Sequence, residues 1–341
     1  MSTKEFDKNQ LGTYIDRVAR RTMKMDFAWD WMAGVAFYGV SKAWEVTGEK
    51  EYIDYLVRWT DAYMEQGIPP FTVNAVSMGH TMMTLYDATG DEKYLDVAVR
   101  KAEYLKNEAV RFGEGVFQHT VSQNYNFPEQ AWADTLFMAA YFLIRMGTKL
   151  NNKEYLEDGL NQYYWHEEFL QNAVTNLYFH GWDNLKKNNM SSVYWARANA
   201  WAAITMAEAL KIVSVTHPAY MKIMDSLRDQ LAALVRLQTE NGLWHTVLDD
   251  ATSYEELSAS AGIAAAVQLY GKACGHNIYD SYVEKAVKGI LANIAEDGRV
   301  MNVSAGTAVM DDIHGYRNVP KKRIQGWGQG LTLAFMASLL E

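Results

Sequence analysis

The chain has 341 residues, a formal net charge of -9 and one cysteine, Cys274. These numbers exclude an intramolecular disulfide framework and a cysteine-built zinc site, and an acidic chain lacks the basic face that nonspecific nucleic-acid binding needs. The opening residues MSTKEFDKNQ are polar, and no run approaches the ~18 apolar residues of a membrane span. The expectation is therefore a cytoplasmic protein with neither a membrane nor a nucleic-acid partner.

Five prolines against 11 Trp and 21 Tyr suit a mostly helical chain. Apolar periodicity predicts helices over 9–24, 28–47, 50–66, 75–89, 91–110, 129–147, 151–172, 194–214, 218–239, 257–272, 278–295 and 325–340. A turn recurs between them: TGEKEY at 47–52, TGDEKY at 89–94, LNNKEY at 150–155, THPAY at 216–220 and a related stretch ending at Tyr282. Each helix that follows such a turn opens on a tyrosine: Tyr52, Tyr94, Tyr155, Tyr220 or Tyr282. A period too long for one helix means stacked helical hairpins.

Alternate helices differ in character. Segments 131–144, 196–210 and 258–270 are rich in Ala, Gly and Met and poor in charge, as buried helices are. Segment 91–109 is amphipathic with a charged face. The pattern predicts an all-α fold of six helical hairpins, an α6/α6 barrel with six inner and six outer helices, as a single domain over 1–341. An open helical solenoid is the competing reading. Connections 111–128, 173–193, 240–256 and 296–324 are long, enter inner helices and fall at one end, where function is expected.

That end gathers Trp31, Asn74, Trp132, Asp134, His180, Trp182, Arg197 and Trp201, a mixture of rings, amide, cation and acid that suits a saccharide. Asp134 lies among apolar residues in FPEQAWADTLFMAA. Burial there should raise its pKa and keep it protonated, as a general acid requires; a first-turn acid serving the helix dipole is the alternative. Arg197 could grip a substrate carboxylate bidentately, or pair structurally with Asp183 or Asp134. His180 could serve a sugar hydroxyl or a water, or be structural; His80 and His245 are weaker candidates. Without HExxH or CxxC, no metal and no cofactor is expected.

PEQAWADTLFM (128–138) resembles a segment of the unsaturated rhamnogalacturonyl hydrolases, glycoside hydrolase family 105, relatives of the family 88 unsaturated glucuronyl hydrolases. LYFHGWD (177–183), WARANAW (195–201), SYEELSASAG (253–262), GTAVMDDIHGYRNVP (306–320) with GWGQG, and WDWMAG (29–34) are similar to further family segments. The resemblance implies an α6/α6 barrel acting on oligosaccharides whose terminal uronate carries a C4=C5 double bond. It implies that Asp134 protonates C4 and that water adds at C5. The sequence departs from the family pattern at Asn74, where an aspartate is usual, at Trp31 for a tyrosine, and at Ala198 and Ala200 for glycines. A sugar 2-epimerase using histidines such as His80, His180 and His245, and a non-catalytic sugar-binding barrel, remain alternatives. Oligomeric state and the aglycone sugar are left open.

Overall fold

A computed structural model describes residues 8–123, 125–276, 278–321 and 323–341. The first seven residues of the polar opening stretch lie outside them. The chain runs α1 (Lys8–Thr22), α2 (Trp31–Thr47), α3 (Lys50–Gln66), a 3₁₀ turn (Ala75–Ser77), α4 (Met78–Thr89) and α5 (Glu92–Asn107). Two short antiparallel strands follow, β1 (Arg111–Phe112) and β2 (Val116–Phe117). Next come β3 (Gln130–Trp132), a π turn (Leu136–Ala140), α6 (Tyr141–Leu150), α7 (Lys153–Leu170) and β4 (Gly181–Asp183). The chain ends with α8 (Ala196–Ile212), α9 (Pro218–Arg236), α10 (Leu257–Ala273), α11 (Asp280–Leu291), the short α12 (Ile313–Arg317) and α13 (Gly326–Leu340).

The recurring turn has a local explanation. Gly48, Gly90 and Asn151 end α2, α4 and α6 in the left-handed region, and the next residue caps the following helix. Glu49, Asp91 and Asn152 each accept a backbone N–H through the side chain. The tyrosine that follows is the third helical residue and reaches sideways. Tyr52 donates to Asp16 at 3.1 Å, Tyr94 to Asp61 at 2.9 Å, and Tyr155 to Glu103. Each such tyrosine thus joins one outer helix to the outer helix before it.

The inner helices form a closed ring. α2 packs on α4, the 3₁₀ turn before α4 packs on the π turn before α6, α6 on α8, α8 on α10, α10 on α13, and α13 returns to α2. This closure excludes the open solenoid. Outer helices cover the ring, with α1 over α2 and α13, α5 over α4 and α6, and α9 over α8 and α10. The closing seam is backbone against backbone. A Cβ on Gly39 would lie 2.3 Å from Gly330 O, and one on Gly330 would lie 2.1 Å from Val35 O. Glycine at both positions lets α2 and α13 approach this closely.

Eleven of the twelve expected spans overlie a helix with small end shifts. The exception is 129–147. Its first residues form β3, which pairs antiparallel with β4 through Gln130↔Asp183, Ala131↔Trp182 and Trp132↔Gly181. Phe127 and Glu129 take φ of 51° and 49°, turning the chain into the strand. The helix therefore starts at Asp134, and the acid stands at its mouth.

Candidate active site

Where the inner helices begin, the long connections surround a cleft of about 300 Å³. Its walls are aromatic. Trp31 stacks on Trp327 at 4.7 Å, Trp132 stacks on His119 at 4.4 Å, and Trp195 stands 4.1 Å from the His180 ring. Asn74 enters from the turn before α4. Thr72 Oγ1 donates to Val121 O, Val73 N to Thr120 Oγ1, and Asn74 N to Thr120 O. The same lacing fixes the segment that carries His119. Asn74 Oδ1 is buried and finds no hydrogen-bond partner among the described residues.

Asp134 Oδ2 lies 3.2 Å from His180 Nε2. On the other side of that ring, Nδ1 is 2.8 Å from the Tyr316 hydroxyl. The hydroxyl accepts from Met310 N–H at 3.3 Å, and burial pushes its pKa up to about 12, so it stays a donor. Tyr316 donating to Nδ1 puts the imidazole proton on Nε2, the nitrogen nearer Asp134, although the two atoms meet as a close contact and not as an aligned hydrogen bond. His119, whose Nδ1 is 3.0 Å from Thr135 Oγ1, flanks the acid.

The electrostatics run against the simple burial expectation for Asp134. Burial does push its pKa up, but His180, His119 and Arg197 together hold it below the ordinary carboxylate value. Burial holds His180 below its ordinary value, with Arg197 adding to that and Asp134 opposing it. His119 is depressed to about 4, chiefly by burial. At neutral pH the free site therefore holds an ionised Asp134 beside neutral histidines. The expectation of an acid kept protonated by burial alone is corrected accordingly.

Arg197 is 2% exposed. Nη1 donates to Ser304 Oγ at 2.7 Å and Ser258 Oγ at 3.2 Å, and Nη2 donates to Ala305 O at 2.9 Å and Thr307 Oγ1 at 3.1 Å. Its carboxylate partner is Glu256, at 3.6 Å, and not Asp183 or Asp134, the two that the structural alternative named. Glu256 is fully buried and accepts from Ala259 N, Ser304 N and Ser258 Oγ. With its terminal N–H groups engaged, the guanidinium holds the 304–307 loop against the cleft and supplies positive field. A bidentate grip on a ligand would first have to break those bonds.

The Glycosyl Hydrolase Family 88 profile matches residues 3–341. The chain belongs to this family and is a glycoside hydrolase. It is 56% identical over 337 residues to the unsaturated rhamnogalacturonyl hydrolase YesR of Bacillus subtilis, covering 98% of this chain and 96% of that one. A crystal structure of a possible family 105 member from Salmonella enterica superposes with a TM-score of 0.93 at 27% identity, covering 100% of this chain and 96% of that one. The unsaturated glucuronyl hydrolase of Bacillus sp. GL1 superposes with a TM-score of 0.74 at 14% identity, over 98% and 96% of the two chains, and shares the fold.

In this family 88 chain, Trp31, Asn74, Trp132, Asp134 and Arg197 line one cleft, with His180 directly behind Asp134. Two of the expected residues stand elsewhere. Side chains alternate along β4; Gly181 faces Trp132, so Trp182 points the other way and stacks on Phe169. Trp201 is fully buried deeper along α8, 5.0 Å from Phe137, in the barrel core. The tryptophan of that motif that reaches the cleft is Trp195. Sequence reasoning also passed over His119 and Glu256. His119 lay in the long connection 111–128, and Glu256 in the SYEELSASAG segment, so the available signal was position without any mark of role. His80 is enclosed by the inner helices, and His245 bonds Ser253 O.

Proposed function

We propose that this cleft hydrolyses unsaturated uronyl oligosaccharides of the rhamnogalacturonan type by hydrating the C4=C5 vinyl ether, with Asp134 as general acid and base. One observation carries the reading: among the described residues a single carboxylate lines the cleft, at a helix mouth, beside two histidines and between tryptophan walls. Ring faces suit sugar stacking, and one acid suffices for enol-ether protonation, unlike the paired carboxylates of ordinary glycosidases.

Asp134 begins ionised. A bound uronate brings a second negative charge and excludes water, and both push the Asp134 pKa up. Substrate binding is then accompanied by proton uptake. Protonated Asp134 delivers its proton to C4, and positive charge develops across C5 and the ring oxygen. Water adds at C5, and Asp134 takes up the proton it releases. Opening of the hemiketal breaks the C5–O5 bond and leaves a hemiacetal at C1, whose collapse to an aldehyde expels the aglycone sugar and leaves an open-chain keto uronate. His180, held by Tyr316, orients Asp134. Asn74 Oδ1 can accept from a hydroxyl or the attacking water, and the buried Arg197 supplies positive field near the uronate. A cytoplasmic location, where Cys274 would stay a thiol, is proposed with it; cell fractionation checks that.

The test follows the ultraviolet absorbance of the conjugated uronate on a panel of lyase-generated disaccharides. Wild type should bleach it, and Asp134→Asn should lose at least ~10³-fold in kcat with an unchanged fold. Near-normal turnover by Asp134→Asn would reject its role. Interconversion of a free sugar without bleaching would favour an epimerase, and binding without turnover a non-catalytic barrel.

A further inference from the structure

Beneath the cleft, the inner helices bury a polar contact that this chemistry does not use. His80, on α4, is fully enclosed. Its Nδ1 lies 2.9 Å from Arg145 Nη1. A guanidinium can only donate, so Nδ1 accepts and the ring proton sits on Nε2. Nε2 lies 3.1 Å from Phe137 O, which therefore accepts from it. Phe137 and Arg145 belong to the same helical run, so one ring spans the start of α6. Phe137 and Tyr141 hold that ring at 5.2 Å each, and Tyr38 at 5.5 Å, which blocks a flip.

The position of Phe137 makes the contact consequential. It lies in the π turn Leu136–Ala140, in which Tyr141 N–H reaches back to Leu136 O. Widening a helix from i+4 to i+5 pairing shifts the ladder by one residue and changes which carbonyls need partners. Each residue turns the helix by about 100°. If the π turn relaxed to α-helix, everything before it would rotate by about that angle relative to α6. Asp134 stands two residues before the turn, so its aim at His180 depends on the turn staying wide.

We propose that His80 is a positioning residue that holds this π turn open and thereby aims the Asp134 carboxylate at His180 and the cleft. Arg145 fixes the His80 tautomer that makes this possible. Titratable groups acting on the His80 ring are Arg145, Lys42 and Glu208; those acting on Asp134 are His180, His119 and Arg197.

The kinetic part rests on the proposed function, so the test has an arm that needs no turnover. His80→Leu removes the donor, and His80→Gln keeps an amide donor for Phe137 O. In substrate-free protein, carbon-13 NMR follows the titration of the Asp134 carboxyl. His80→Leu should move that titration up toward the ordinary carboxylate value, and His80→Gln should leave it near wild type. On an unsaturated disaccharide, His80→Leu should lose about 100-fold in kcat with KM within about threefold, the loss expected of a misaimed group. His80→Gln should recover kcat to within about tenfold of wild type. A folded His80→Leu with the wild-type titration and kcat overturns the proposal, as do equal kcat losses in the two variants. Should His80→Leu fail to fold, Arg145→Met replaces it, with the same shift expected in milder form and the same overturning result. A wild-type protein without turnover would sink the substrate assignment, and the titration would then decide the role of His80 alone.

Discussion

Replacing Glu256 with glutamine removes one charge at constant shape. Glu256 is fully buried, 3.6 Å from a guanidinium that is 2% exposed. Oε1 accepts from Ser304 N at 2.8 Å, and Oε2 accepts from Ala259 N at 2.7 Å. A glutamine must turn its NH₂ toward one of these N–H groups whichever way it flips, which orphans a buried donor at about 1–3 kcal/mol. It also leaves the buried Arg197 without its counter-charge, and breaking such a pair costs about 3–5 kcal/mol. The two contributions overlap, so the expected loss is about 3–5 kcal/mol in total. At roughly 2 °C per kcal/mol for a chain of this size, Tm should fall by about 6–10 °C. Urea denaturation of wild type, Glu256→Gln, Arg197→Met and the double variant measures the coupling directly. The double variant should be at least about 2 kcal/mol more stable than the sum of the two losses implies. A Glu256→Gln protein within about 1 kcal/mol of wild type would falsify this account, because Arg197 would then carry its charge without Glu256.

Acid should loosen the fold through its buried histidines. His119 and His166 are both held down to about 4, chiefly by burial, against an ordinary value of about 6.5. Below that value the unfolded chain takes a proton that the folded chain refuses. Their stabilisation is therefore complete above about pH 6.5 and is lost as pH falls toward about 4, at about 1.4 kcal/mol per pH unit for each residue. His166 is not among the residues that line the cleft, so His166→Leu should flatten the slope of urea-measured stability against pH by about that amount; an unchanged slope would contradict its depressed pKa. At the closing seam, Gly330→Ala should cost about 1–3 kcal/mol or more, because the new Cβ meets the backbone of Val35. A variant that melts with wild type would mean that α2 and α13 separate freely.

The helical plan was legible because its signals are local. A left-handed residue, a capping side chain and a tyrosine at the third helical position repeat within a few residues, and the inner helices announce themselves by Ala, Gly and the absence of charge. What was illegible depended on distant partners. Residues 130–132 continue an apolar helical pattern, and only pairing with 181–183 makes them a strand. Trp132, Trp182, Trp195 and Trp201 look alike as letters; strand alternation and depth along α8 decide which of them reach the cleft. Arg197 reads as a free cation until the 304–307 loop, about a hundred residues on, takes up its donors. Desolvation of Asp134 was anticipated, but the net direction of its pKa shift was not, because His119 and His180 arrive from two separate connections.

The glycine seam also sets the order in which this protein can become an enzyme. Residues 31–47 are made early and residues 326–340 late, yet these two helices complete the ring, and the Trp31–Trp327 stack that walls the cleft bridges the same junction. A growing chain must carry the apolar flank of α2 uncovered through most of its synthesis, and contacts this far apart in sequence form slowly. Partly made or C-terminally nicked chains then lack one wall of the cleft as well as the last stave of the barrel. The cleft around Asp134 is therefore walled on this side only once α13 has packed against α2.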